Sequence, residues 1–77
     1  MSIITYSQAS RKPKTFFEGK KAILKQTISN LLGETIPENS EVIIEGIGHS
    51  KLFLNIHLPG TDIHIRNVWC ENLELCN

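Results

Sequence analysis

Residues 41–65 read EVIIEGIGHSKLFLNIHLPGTDIHI and contain three runs in which apolar side chains alternate with other side chains. Successive side chains of a β-strand point to opposite faces, so this period of two predicts strands with one apolar face. Gly46–Ser50 and Pro59–Gly60 separate the runs and supply turns. We therefore expect a three-stranded antiparallel meander. Its apolar face is predicted to contain Val42, Ile44, Leu52, Leu54, Ile56, Leu58, Ile63 and Ile65.

The turn at Pro59–Gly60 sets the register of the last two strands. A two-residue loop would pair Ile56 with Ile63 and place His57 opposite Asp62. Proline does not suit the turns that two-residue loops prefer, so a longer loop is the alternative. An even change of register keeps the same residues on each face.

The face opposite the aliphatic one carries a group of titratable side chains. His57, Asp62 and His64 are predicted to lie close together there, and imidazole and carboxylate groups are both ligands of zinc. A polar face is, however, the ordinary solvated side of an amphipathic sheet. We expect no bound metal and no cofactor, and retain these three residues as the candidate metal ligands.

The segment before the meander has the pattern of a helix. Thr15-Phe-Phe-Glu18 fits a capping box, and Gly33 suits the left-handed end of a helix. Between them, apolar residues recur at spacings of three and four, which is typical of one helix face. We expect a helix at about 16–32 whose apolar stripe packs on the sheet. The stripe consists of Ile23, Leu24, Ile28, Leu31 and Leu32.

These elements predict one small α+β domain spanning residues 1–77. A short strand is expected at 2–6, followed by a flexible basic loop at about 7–14. The element order is then β-α-β-β-β, with one amphipathic helix packed on a small antiparallel sheet. The tail at 67–77 fits either a strand or a helical turn.

The charges of the chain are divided between its two halves. Eight Lys plus Arg residues balance eight Asp plus Glu residues, so the formal net charge is zero. Residues 1–33 nevertheless carry a net charge of +5, and residues 34–77 carry −5. The positive charge is predicted to lie on the basic loop and the outer face of the helix. Its residues are Arg11, Lys12, Lys14, Lys20, Lys21 and Lys25.

Several classes of protein are disfavoured by the same sequence. The longest run of large apolar residues, 42–44, is far shorter than the roughly 20 residues of a membrane helix. No export signal is recognisable, so we expect a cytoplasmic protein with reduced thiols at Cys70 and Cys76. No nucleophile signature is found, and the two glycines in 46–48 lack the rest of a phosphate-binding loop. We therefore expect a protein that is not an enzyme.

Binding is the function that these features favour. An aromatic and arginine patch on the sheet, formed by Phe53, Arg66 and Trp69, has the composition of an interface core. We expect a small non-catalytic regulator or inhibitor that docks on a larger protein, of the kind phages and mobile elements encode. The basic residues would steer that partner, and the opposed charges also suit self-association. The alternative is a nucleic-acid-binding module that uses the basic residues on a phosphate backbone.

Overall fold

A computed structural model describes residues 2–76, and most of its regular structure is β-strand. The elements are β1 (Ser2–Ile3), α1 (Tyr6–Arg11), β2 (Lys21–Leu24), β3 (Ile28–Ser29), β4 (Thr35–Ile36), β5 (Glu41–Ile47), β6 (Phe53–His57), β7 (His64–Trp69), a 3₁₀ turn (Cys70–Asn72) and β8 (Leu73–Leu75). Six strands form one antiparallel sheet in the spatial order β1-β8-β2-β5-β6-β7. Strands β3 and β4 form a separate hairpin.

The predicted α+β class, with a long amphipathic helix on the sheet, is wrong. The segment expected to be helical at 16–32 contains turns followed by β2 and β3. Strand β2 lies inside the sheet, where Ala22 pairs with Val42 of β5 on one side and with Leu75 of β8 on the other. Helix propensity is a weak local preference, and pairing on both edges of a strand overrides it.

The predicted apolar stripe is therefore dispersed. Leu24 is fully buried, whereas Leu31 and Leu32 are 106% and 84% exposed. Gly33 has the positive φ expected of it (84°), but it lies in the loop of the β3–β4 hairpin and not at the end of a helix. A left-handed glycine suits both settings, so the local signal could not distinguish them.

The one α-helix in residues 2–76 begins at Tyr6, earlier than the predicted start at about residue 16. Thr5 is its N-cap, and the Thr5 hydroxyl accepts a hydrogen bond from the Gln8 N–H at 3.2 Å. The Gln8 side chain accepts from the Thr5 N–H in return, which completes a capping box. The expected strand at 2–6 is thus shortened to Ser2–Ile3, and much of the expected loop at 7–14 is helical.

The three strands of the predicted meander are confirmed as β5, β6 and β7, but the predicted register is shifted by two residues. Ile56 pairs with Ile65, not with Ile63. The cause is a longer loop, in which the Thr61 N–H donates to the Leu58 carbonyl across Pro59–Gly60. Gly60 has a φ of 83°, as the third position of a proline-containing type II turn requires.

Among residues 2–76, the buried apolar side chains form a core on one face of the sheet. Helix α1 contributes Ala9 to it, the turn region contributes Phe17, and β4 contributes Ile36. The undecided tail forms β8 between β1 and β2 and buries Leu73. The buried apolar residues are Ile4, Ala9, Phe17, Ala22, Leu24, Ile36, Val42, Ile44, Leu54, Ile56, Ile65, Val68, Cys70 and Leu73.

Within residues 2–76, no helix has the length and apolar character needed to cross a membrane.

Candidate functional site

Three titratable side chains from neighbouring strands converge on the outer face of the sheet. His57 of β6 and His64 of β7 are directly opposite each other, and their ring centroids are 5.4 Å apart. Glu45 of β5 approaches both rings through one carboxylate oxygen. Its Oε2 lies 3.0 Å from His64 Nδ1 and 3.5 Å from His57 Nδ1. We refer to Glu45, His57 and His64 as the histidine cluster.

One atom of the histidine cluster lacks a hydrogen bond. His57 Nδ1 is buried and has no hydrogen-bond partner among the described residues. The 3.0 Å contact between His64 Nδ1 and Glu45 is a hydrogen bond, whereas the longer contact of Glu45 with His57 is not. A buried polar atom without a partner costs free energy, so this nitrogen needs an explanation.

Two β-bulges shape this part of the sheet. Glu45 is the extra residue on β5 between the pairs Ile44–Ile56 and Gly46–Asn55. On β7 a second bulge adds one residue opposite Asn55. The Asn55 side chain bonds to both bulged strands. Its Oδ1 accepts a hydrogen bond from the Asn67 N–H of β7 at 3.0 Å, and its Nδ2 donates one to the Ile47 carbonyl of β5 at 3.3 Å. Bulges re-aim side chains, and here one lies at the carboxylate of the histidine cluster.

The predicted metal ligands are thus brought together only in part. His57 and His64 meet, but Asp62 lies exposed in the loop after β6 and is not a member of the cluster. Glu45 supplies the carboxylate that was predicted to come from Asp62. The two-residue change of register replaced Asp62 with His64 opposite His57. Glu45 was missed because a bulge on another strand is not visible in the alternation of residues.

The predicted patch of Phe53, Arg66 and Trp69 contains an aromatic pair in a tilted arrangement, with 57° between the ring planes. The ring centroids of Phe53 and Trp69 are 5.3 Å apart on neighbouring strands. The ring centroid of His49 lies 4.6 Å from that of Phe53, and the ring centroid of Tyr6 lies 6.4 Å from that of Trp69. Tyr6 is 55% exposed, so one end of this aromatic row is open to solvent.

A groove runs between β7 and the β3–β4 hairpin. Its two sections, of about 530 and 300 Å³, share Ser29, Ile65, Arg66 and Asn67 as lining residues. One section ends at Leu31, Leu32 and His64, and the other ends at the aromatic pair of Phe53 and Trp69. We call this feature the β7 groove. Strand β7 is an edge strand, so one row of its backbone groups faces away from β6.

The leucines at one end of the β7 groove are presented by a well-bonded loop. Asn30 Oδ1 accepts hydrogen bonds from the N–H groups of Leu32 and Glu34, both at 3.0 Å. Asn30 Nδ2 donates to Glu34 Oε1 at 2.8 Å and to the His64 carbonyl of β7 at 3.2 Å. These bonds hold the hairpin loop against the edge strand while Leu31 and Leu32 remain outside the core.

The predicted basic residues do not share a helix face. The ammonium groups of Lys12 and Lys20 lie 4.6 and 4.7 Å from the centre of the Phe16 ring. Lys21 and Lys25 lie on or beside β2, each 3.9 Å from an acidic side chain. The acidic partners are Glu41 for Lys21 and Glu74 for Lys25. The remaining two basic residues, Arg11 and Lys14, are exposed near the end of α1.

The two cysteines are free thiols in different environments. Cys70 is buried, and burial, assisted by the charge of Glu71, raises the pKa of its thiol. Cys70 therefore remains protonated at neutral pH, the form in which a thiol is a poor nucleophile and a poor metal ligand. Cys76 is partly exposed.

Comparison of the chain with models of known families, with curated proteins and with solved structures finds no match.

Proposed function

We propose that this chain is a non-catalytic binding module that accepts an extended segment of a protein partner in the β7 groove and thereby regulates or inhibits that partner. The observation that carries the proposal is the exposure of Leu31 and Leu32, at 106% and 84%, on a loop fixed by Asn30. Large apolar side chains that are ordered yet excluded from the core are typical of an interaction surface.

The groove favours an extended segment over a helix. Strand β7 is an edge strand, and a peptide in the extended conformation can pair with its outward N–H and C=O groups. The His64 carbonyl is excluded from this pairing, because it already accepts a hydrogen bond from Asn30. The two leucines and the Phe53–Trp69 pair lie at opposite ends of this edge and supply apolar contacts. Tryptophan and arginine are the residues that most often dominate binding energy at interfaces.

The charge of the groove favours a segment with a carboxylate. Arg66 is the permanently charged residue in the lining of both sections, and none of the described lining residues is acidic. An arginine guanidinium can form two parallel hydrogen bonds with a carboxylate. The partner segment is therefore apolar with at least one Asp or Glu.

A display library of random peptides tests the proposal directly. Selected peptides should be apolar and acidic, should shift the NMR resonances of β7, and should lose affinity when a backbone amide that pairs with β7 is N-methylated. The double variant Leu31→Ser/Leu32→Ser and the variant Arg66→Glu should each bind at least about 10-fold more weakly, a loss of about 1.4 kcal/mol or more.

The variant Arg11→Glu/Lys14→Glu is the matched control, because both side chains are exposed and lie outside the groove. It should bind the selected peptides as the wild type does. Binding of single-stranded nucleic acid with a steep salt dependence, lost in this control and kept in the leucine variant, would establish the nucleic-acid module instead. Selected peptides that shift only the NMR resonances of residues outside the β7 groove would also contradict the proposal.

A further inference from the structure

We propose that the histidine cluster is a binding site for one divalent transition-metal cation of the zinc class. Glu45, His57 and His64 each offer one ligand atom, and these three atoms lie within 4.8 Å of one another. Two imidazoles and one carboxylate form a donor set that zinc sites use when one coordination position remains open.

Two of the three ligand–ligand distances are close to those around a tetrahedral cation. Metal–ligand bonds of about 2.0 to 2.1 Å place neighbouring ligand atoms roughly 3.4 Å apart at the tetrahedral angle. Glu45 Oε2 lies 3.5 Å from His57 Nδ1 and 3.0 Å from His64 Nδ1, which brackets that value. The cation would replace the hydrogen bond between Glu45 and His64 with two metal–ligand bonds.

The buried nitrogen of His57 supplies a second and independent observation. His57 Nδ1 has no hydrogen-bond partner among the described residues, although it lies between a carboxylate and a second imidazole. When His57 is in the tautomer that leaves Nδ1 unprotonated, a bound cation accepts the lone pair of this nitrogen and gives it the partner that the described protein groups do not supply. The orphaned atom therefore points to a ligand that completes the cluster.

The ligands are held by the sheet and not by a mobile loop. His57 and His64 are a cross-strand pair, and Glu45 projects from the bulge of the adjacent strand. Ligands fixed on neighbouring strands lose little conformational entropy when the metal binds. One carboxylate and two imidazoles suit zinc and similar cations, whereas calcium and magnesium require mostly oxygen ligands.

Isothermal titration calorimetry of the 77-residue chain with zinc chloride tests the site. The wild type should bind one zinc ion, and neither calcium nor magnesium should compete. Loss of an outer-shell partner already weakens metal binding by about 10- to 100-fold, so loss of a direct ligand should cost at least about 100-fold. We expect that loss in Glu45→Gln and in His64→Ala, both at exposed positions where folding is preserved.

The variants His49→Ala and Cys76→Ser are the controls, since they remove other metal-binding side chains outside the cluster. Both should keep the wild-type affinity, and the cobalt-substituted protein should show the visible bands of a tetrahedral site without a thiolate charge-transfer band. Absence of zinc binding in the wild type would overturn the proposal. Wild-type zinc affinity in Glu45→Gln and His64→Ala would overturn the proposal as well. So would a thiolate band that Cys76→Ser abolishes.

Discussion

At the scale of single residues, the Asn67 side chain packs so closely against Gly48 that no Cβ fits at that position. Asn67 occupies the bulge of β7 with a φ of 57°, and its Oδ1 accepts a hydrogen bond from the His49 N–H at 2.9 Å. A Cβ atom on residue 48 would overlap Asn67 Oδ1 and would lie 3.1 Å from the carbonyl oxygen of Phe53. Glycine is therefore required here because a side chain does not fit. Backbone conformation is not the reason, since the φ of Gly48 is not in the left-handed region.

We predict that Gly48→Ala destabilises the protein by about 1–3 kcal/mol, the usual cost of overpacking. The added methyl group must displace the Asn67 side chain, and the hydrogen bond to the His49 N–H is lost with it. Urea denaturation followed by circular dichroism measures the change. Gly46→Ala is the matched control, since its Cβ would meet the Glu18 side chain at an ordinary 3.7 Å. Equal destabilisation of both variants would contradict the role assigned to Asn67.

At the scale of elements, two segments of the chain fit a capping box, and only one caps a helix. Thr5-Tyr-Ser-Gln8 forms the reciprocal hydrogen bonds, whereas Thr15 only accepts a hydrogen bond from the Glu18 N–H through its backbone carbonyl. Helix α1 is tied down at both ends by distant residues. The Tyr6 N–H donates to Glu71 at 3.0 Å, and the Lys51 ammonium donates to the carbonyls of Ser10 and Lys12 at 3.0 and 3.1 Å.

We predict that Thr5→Ala lowers the free energy of unfolding by about 1 kcal/mol, as loss of an N-cap hydrogen bond does. Thr15→Ala should change it by less than about 0.5 kcal/mol, because Thr15 is exposed outside any helix. Thermal denaturation of the two variants under the same conditions provides the comparison. A larger effect at Thr15 would favour the helix at 16–32 that the sequence predicts.

The strands show which elements the sequence could predict. Alternation over 41–65 correctly predicted the three strands of the meander, since the pleat is a local property of the chain. Strand β2 was missed because Lys21–Leu24 is short and fits a helical spacing equally well, whereas Leu73–Leu75, which forms β8, was left open between a strand and a helical turn. Their conformation depends on each other, as the pairs Ala22–Leu75 and Leu24–Leu73 show.

At the scale of the whole molecule, the two oppositely charged halves of the sequence are interleaved. Strand β2, from the basic half, lies between β8 and β5 from the acidic half. Lys21 and Lys25 consequently lie 3.9 Å from Glu41 and Glu74. These exposed or half-exposed pairs contribute little stability, but they offset part of the basic charge that the sequence suggested for a single surface.

The tertiary structure buries Leu73 and exposes Leu31, so Leu73 and not Leu31 contributes to the stability of the core. We predict that Leu73→Ala costs about 2–5 kcal/mol, because Leu73 is fully buried in the core. Leu31→Ala should cost less than about 0.5 kcal/mol, because its side chain is fully exposed. Guanidinium denaturation monitored by Trp69 fluorescence measures both. The opposite order would restore Leu31 to the core stripe of the predicted helix.

Some residues of the candidate sites could be predicted from the local sequence, whereas others depend on contacts between distant segments. Alternation placed His57 and His64 on one face, and the proximity of Phe53 to Trp69 also follows from the paired strands. Glu45 could not be found in this way, because it depends on a bulge and on the register between β5 and β6. The position of Leu31 and Leu32 depends on the hairpin that Asn30 fixes against β7.

The sequence by itself determined the two faces of the meander and the left-handed conformation of Gly33. Each of these depends on interactions within a few residues of the chain. The tertiary structure alone decided that residues 21–24 form a strand, that Leu31 is exposed, and that Glu45 joins the two histidines. These features depend on pairing between distant segments, whose hydrogen bonds and buried area outweigh local conformational preferences.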